Sequence, residues 1–327
     1  MTGRYLIQEN IPAEEELKQA AYLLKKTAQT KEPFILATLL SGKTMSLGRF
    51  QQARATFIKP DRPMIRRWTG GRAFPYGSGM LSLCLMAPHW QSLIQEGIPP
   101  HKILNRYVRP LLTTLKKWGL PAFYGGRDSL TVSRKPIGYL TFDVEANNAL
   151  LMQSVLESQD LLALRPLQEF VTTWIQNFPR QDLRWEAFEF SKREKEKIDS
   201  QPLLSMEDPR EHDPKMLWSD LCEIPIGQFY AGLQLEGQKI KEVLLFGDFI
   251  ANSPAVSELE ENLKGCPLEW KEIGRRVDQI FTNPRNVILG LRSLRAFPDT
   301  ILNAAGKNRN PSYPPLILRG GIPHSPP

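Results

Sequence analysis

A chain of 327 residues, 41% hydrophobic and 24% charged, has the length for one domain with a substantial core and a second, smaller one. Its three cysteines, Cys84, Cys222 and Cys266, stand far apart, which excludes a disulfide framework and a Cys-x-x-Cys zinc site. A net charge of +7 admits an acidic protein, a membrane surface or nucleic acid as partner. Without an RNA-binding aromatic signature or a helix-turn-helix pattern, nucleic acid is not expected.

The N-terminal stretch to Glu16 is too acidic and too broken for a signal peptide. No apolar run approaches the roughly 18–20 residues of a membrane span, so a cytoplasmic setting without membrane contact is expected. Pro12 followed by Glu14, Glu15 and Glu16 reads as a helix start, with Leu17, Ala20, Ala21 and Leu24 at helical spacing. Residues 34–40 are continuously apolar and predict a buried strand, with Gly42-Lys43 as a turn into 44–50. A second buried strand is expected at 80–87. The stripe Ile103, Leu104, Tyr107, Val108, Leu111, Leu112 and Leu115 predicts a helix over 101–119. Residues 129–132 and 137–142 form a hairpin across Ser133-Arg134-Lys135, and 167–178 is strongly helix-periodic. Strands alternating with a few helices argue an α+β fold, its mixed or antiparallel sheet flanked by helices.

From 200 to 215 the composition turns to Pro202, Pro209, Pro214 and acids, which reads as a linker. Residues 229–235 and 239–246 alternate around Glu236-Gly237-Gln238 as a second hairpin. Residues 255–263 are a short helix stopped by Gly265, and another helix covers 270–281. The expected organisation is a catalytic domain at 1–199, the linker, an accessory domain at 216–300 acting as a mobile cover, and a proline-rich disordered tail at 301–327.

The segment Arg66-Arg67-Trp68-Thr69-Gly70-Gly71-Arg72 runs on to Tyr76-Gly77-Ser78-Gly79, placing four glycines within ten residues behind two fixed cations. Glycines leave backbone N–H groups open and tolerate positive φ, while paired arginines offer planar forks to phosphate or carboxylate. An anionic ligand is one reading; a glycine-rich surface turn with solvated arginines is the other. The loop matches neither the phosphate loop ending in Gly-Lys-Ser/Thr nor the Gly-x-Gly-x-x-Gly spacing.

Three further segments bear on the choice. They are Ser46-Leu47-Gly48-Arg49-Phe50-Gln51, then Gly126-Arg127-Asp128 leading to Arg134-Lys135-Pro136-Ile137-Gly138, and Leu245-Phe246-Gly247-Asp248-Phe249 followed by 258–265. In this order they resemble a lipoate–protein ligase of the biotin/lipoate ligase superfamily, over roughly residues 15–300. That family carries an Ile-Gly-Arg-Phe-Gln strand, an Arg-Arg-x-Thr-Gly-Gly loop and an Asn-Asp strand leading to Lys-x-x-Gly. Its long members add a small C-terminal domain.

The resemblance implies that ATP activates lipoate, or a similar medium-chain acid, to acyl-AMP. The acyl group then passes to a lysine of an acidic lipoyl-domain protein. It implies Lys135 as the catalytic cation between carboxylate and α-phosphate. It further implies Arg66, Arg67, Thr69, Gly70, Gly71, Arg72, Tyr76, Gly77, Gly79, Arg127, Asp128 and Gly138 around nucleotide and acyl chain, with Asp128 holding Mg²⁺. The sequence departs from the pattern at four places. Arg72 stands for the third glycine, Pro75-Tyr76-Gly77 for an aromatic-His-Asp, Arg127 for the asparagine, and Pro136 for an aliphatic residue. The spacing of residues 76–79 is closer to the His-Gly-Pro-Gly of octanoyl transferases of the same superfamily. Those enzymes need a cysteine nucleophile beside the lysine, and residues 136–141 contain none; Cys84 lies in an apolar run, and Cys222 and Cys266 belong to the expected accessory domain. A relative that binds acyl groups or acts as a scaffold without catalysing is the third alternative. His89 and His101 have no partners at metal-ligand spacing.

Overall fold

The computed structural model describes residues 2–53, 62–94, 100–163, 166–179 and 183–306. An eight-stranded sheet organises the N-terminal two thirds. Its order is Arg184–Ala187, Thr2–Pro12, Phe34–Ser41, Met80–Ala87, Leu150–Glu157, Lys135–Val144, Ser129–Val132 and Phe123–Tyr124. The first three strands run parallel and the rest pair antiparallel, so the sheet is mixed as expected.

The helix Ala13–Thr30 follows Thr2–Pro12 directly and makes the crossover that parallel pairing with Phe34–Ser41 requires. Its stripe of Leu17, Ala20, Ala21 and Leu24 is buried, and Lys31 ends it in a left-handed conformation (φ 61°). Ala20, Leu23 and Leu24 pack with Phe34, Leu36, Cys84 and Met86, while Ile35, Ala37, Leu83 and Leu85 join the opposite core. That core also takes in the apolar faces of the helices Ile103–Lys117 and Leu167–Gln176. Two covered faces explain why these strands read as unbroken apolar runs and not as alternation.

The C-terminal third folds around Gly227–Glu236 and Lys239–Gly247, paired as the expected hairpin with Gly237 at φ +61° in its turn. Leu217–Trp218 and Cys222–Ile224 flank this hairpin. The helices Ser253–Leu263, Trp270–Phe281 and Ala296–Ala304 complete this part. The last helix carries past residue 300, where the tail was expected to begin, because Ile301 and Leu302 are buried against the hairpin core. Residues 307–327 lie outside the described residues.

Two findings change the picture of separate units. One hydrophobic cluster runs continuously from Ile35 and Leu85 to Phe229 and Phe297, with Phe50 and Phe249 stacked at 4.7 Å across the junction. The segment 200–215 is not a free tether either: Arg66 donates to the carbonyls of Ser205 and Met206, both at 2.7 Å. A buried guanidinium needs acceptors, and this stretch of backbone supplies two of them. No helix among the described residues is long and apolar enough to cross a membrane.

Candidate active site

The glycine-rich loop leaves the strand Met64–Arg66 and wraps around one guanidinium. Arg67 is fully buried. Its Nε donates to Thr69 Oγ1 (3.2 Å), Nη1 to Ser46 O (3.3 Å), and Nη2 to Gly70 O (2.6 Å) and Arg72 O (2.9 Å). The guanidinium also lies 4.3 Å from the centroid of the Phe74 ring. Burial pushes its pKa down to about 9, which leaves it charged at neutral pH. Arg66 is almost as buried, and besides Ser205 and Met206 it donates to the carbonyls of Gly48, Arg49 and Gln51. The structure therefore places both arginines on backbone carbonyls, where they tie loops together.

The glycines act through close approach. A Cβ on Gly70 would stand 2.6 Å from Phe249 O, and one on Gly48 would stand 1.9 Å from Gly71 O. Gly71, at φ +92°, donates its N–H to Phe249 O at 2.8 Å. The N–H expected to face an anion is thus covered, in this arrangement, by the C-terminal part. Gly77 packs against Gly42 O, and Gly138 lies too close to Val155 O for a side chain. Gly79, at φ +85°, accepts from Ser158 N.

Tyr76 sits in the interior and not at an opening. Its hydroxyl donates to Glu16, lies 3.1 Å from Ser82 Oγ and accepts from Gln153 Nε2 at 2.7 Å. Glu16 also accepts from Ser82 (2.9 Å) and from the Cys84 thiol (3.0 Å). Burial raises the Glu16 pKa against these donors and pushes the Cys84 thiol well up, so Cys84 carries no thiolate at neutral pH. Thr69 is buried beside Thr141, their hydroxyls 2.6 Å apart.

Arg72 emerges from the loop and meets Asp128 side-on. Nε reaches Oδ2 at 2.6 Å and Nη2 reaches Oδ1 at 2.5 Å. Asp128 is buried, whereas the Arg72 side chain is 40% exposed. Arg127, next to it, is exposed, and its carbonyl accepts from the Tyr124 hydroxyl at 2.6 Å. Lys135 begins the strand Lys135–Val144 opposite Val132, after a turn with Ser133 and Arg134 both at positive φ. It is exposed, and its ammonium has no partner among the described residues. Four residues of strand, about 13 Å, separate Asp128 from Val132, so the structure puts Asp128 and Lys135 at opposite ends of one ribbon.

No three of His, Cys, Asp and Glu converge as a metal site among the described residues. Both oxygens of Asp128 are held by Arg72. As arranged, this carboxylate does not fit the magnesium role that the resemblance gives it.

Sequence reasoning did not single out Asp143. It is buried, pairs with Arg49 at 3.2 Å, and accepts the N–H of Ser253 at the start of the helix Ser253–Leu263 (2.7 Å). The signal was present as an acid inside an otherwise apolar strand. Glu16 gave a similar signal, one turn before Ala20 on the buried stripe. Burial raises the Asp143 pKa to about 6, against the pull of Arg49. The folded state then holds the proton more tightly than the unfolded chain. Its contribution is fully present below about pH 4 and is lost as pH rises through 6, by roughly 2–3 kcal/mol. Asp143→Asn should flatten this part of the pH dependence of urea unfolding between pH 4 and 6.5. An unchanged slope would show that Asp143 does not titrate there.

Comparison with known families and structures gives a consistent result. A model of the lipoyl protein ligase A/B catalytic domain matches residues 12–181, and one of the bacterial lipoate protein ligase C-terminus matches residues 215–286. Among solved structures, P. falciparum LipL1 in complex with lipoate is similar at 13% identity and a TM-score of 0.63, covering 85% of this chain and 94% of that one. Lipoate-protein ligase A bound with ATP gives 14% identity and a TM-score of 0.49, over 61% and 93% of the two chains. A bipartite lipoate protein ligase from Thermoplasma acidophilum gives 15% and 0.48, over 61% and 91%. No curated protein sequence matches. With the catalytic model spanning more than half of the sequence and the C-terminal model following in order, the chain belongs to the lipoate–protein ligase family.

Proposed function

We propose that the chain is an ATP-dependent lipoate–protein ligase. A carboxylate oxygen of lipoate, or of a similar medium-chain acid, attacks the α-phosphorus of ATP, giving acyl-AMP and releasing pyrophosphate. The ε-amine of an acceptor lysine then attacks the acyl carbon and AMP leaves with the bonding pair. Joining two anions demands fixed positive charge where they meet. The observation that carries this reading is Arg72, 40% exposed and rooted by Asp128 at one end of the ribbon that has Lys135, unpartnered among the described residues, at its other end. No step is assigned to magnesium at Asp128.

Arg66, Arg67, Gly70, Gly71 and Tyr76 serve this site by shaping it from beneath. For the acceptor to reach the loop, the contacts from Phe249 to Gly71 and from Asp248 to Gln51 (2.6 Å) would have to open, which is the proposed mobility of the cover. Lipoate-dependent exchange of pyrophosphate into ATP tests the proposal. Its absence from folded protein would favour a transferase or a non-catalytic relative. A transferase is disfavoured by Cys84, whose thiol is buried against Glu16.

An acidic acceptor is supported by the exposed face of the helix Ile103–Lys117. Lys102, Arg106, Arg109 and Lys116 line one stripe there, and residues 97–127 contain no acid. Arg109→Glu with Lys116→Glu should raise the acceptor KM severalfold and leave lipoate-dependent pyrophosphate exchange unchanged. Equal KM values at low salt would remove this face from acceptor recognition.

A further inference from the structure

We infer that Arg72 is a built-in cation occupying the carboxylate of Asp128, and that the nucleotide phosphate is met by this guanidinium and not by a metal held on Asp128. The inference rests on the ligase reading. Asp128 is 1% exposed and its backbone is pinned by Leu140 N donating to its carbonyl at 2.8 Å. Each carboxylate oxygen receives one short charge-assisted bond from the same fork. A magnesium ion would need an oxygen at about 2.0–2.1 Å and would lie against a guanidinium of like charge. Arg72 and a metal are therefore alternatives at this carboxylate. No group of three or more His, Cys, Asp and Glu that could hold a metal lies there among the described residues.

The fork is fixed at both ends. The Arg72 carbonyl accepts from the buried Arg67, and its guanidinium is gripped by Asp128 with the Tyr139 ring 5.9 Å away. Its Nη1 makes no hydrogen bond to a described residue, and the side chain is 40% exposed. A preorganised fork with free N–H groups beside solvent is matched to a phosphate or phosphoanhydride oxygen. Asp128 is then a positioning residue that acts through Arg72.

ATP binding measured by calorimetry, once with EDTA and once with excess Mg²⁺, tests this on the full-length protein. Wild type should bind ATP in EDTA with little loss. Arg72→Gly should weaken binding in EDTA by about ten- to a hundredfold, the range for a charge-assisted hydrogen bond, and Mg²⁺ should restore it. Arg72→Lys should not recover the metal-free affinity, and Asp128→Asn should lose part of it in EDTA. If Arg72→Gly does not fold, Arg72→Gln provides the same reading. Collapse of wild-type binding in EDTA, or an Asp128→Asn effect seen only with Mg²⁺, overturns the inference while sparing the ligase reading. Failure of wild type to bind ATP in either condition removes both.

Discussion

Arg67→Ala is expected to destabilise the protein by about 3–5 kcal/mol, the combined cost of depriving buried acceptors of their donor, about 1–3 kcal/mol each, and of the cavity left by the side chain. The guanidinium satisfies Thr69 Oγ1 and the carbonyls of Ser46, Gly70 and Arg72, and it packs on Phe74. Truncation takes the guanidinium away from these acceptors and opens a cavity under the loop, while Thr69 Oγ1 keeps a second partner in Thr141. Arg67→Lys should recover only part of the loss, because three ammonium donors cannot reproduce the planar geometry of the fork. Urea unfolding at neutral pH gives the measurement. A loss under about 1 kcal/mol would place Arg67 outside the set of contacts that hold the loop. Because Gly70 and Gly71 also seat the C-terminal part, the variant should become more sensitive to protease within residues 66–79.

Lys135→Ala is expected to act in the opposite way, on rate and not on folding. Removing an electrostatic group aimed at developing charge costs roughly 2.7–4 kcal/mol in comparable sites, or about a hundred- to a thousandfold in rate. The unfolding midpoint should stay within error, since the ammonium is exposed and has no partner among the described residues. Lys135→Arg should not rescue, because a wide fork does not replace a compact charge between two acceptors. Arg134→Ala, at the second turn position, should be nearly silent. Full activity of Lys135→Ala with ATP and lipoate saturating would remove the lysine from the mechanism and leave Arg72 and Arg127 as the cations to test.

The two arginines of the loop motif show where reading a sequence ends. Residue type and spacing marked Arg66 and Arg67 as fixed charges in a glycine-rich segment, and an arginine side chain serves equally well for a ligand phosphate or for five backbone carbonyls. The choice depends on which acceptors lie within 3 Å, and for Arg66 two of those belong to residues 205 and 206. Tyr76 is a similar case: its partners Glu16 and Gln153 are 60 and 77 residues away in the chain.

Local patterning determined the elements. Continuous apolar runs at 34–40 and 80–87, the stripe from Ile103 to Leu115, and the two hairpins follow from periodicity and turn chemistry, which act over a few residues. The order of four motifs was enough to indicate the family. Only the tertiary structure decided that Arg72 would close on Asp128, 56 residues away, and that Phe249 would cover Gly71. Both are contacts between segments that are far apart in the chain and meet only in the folded sheet. A charge can be read from its codon, but its partner is fixed by which strands pair and which domain packs above them.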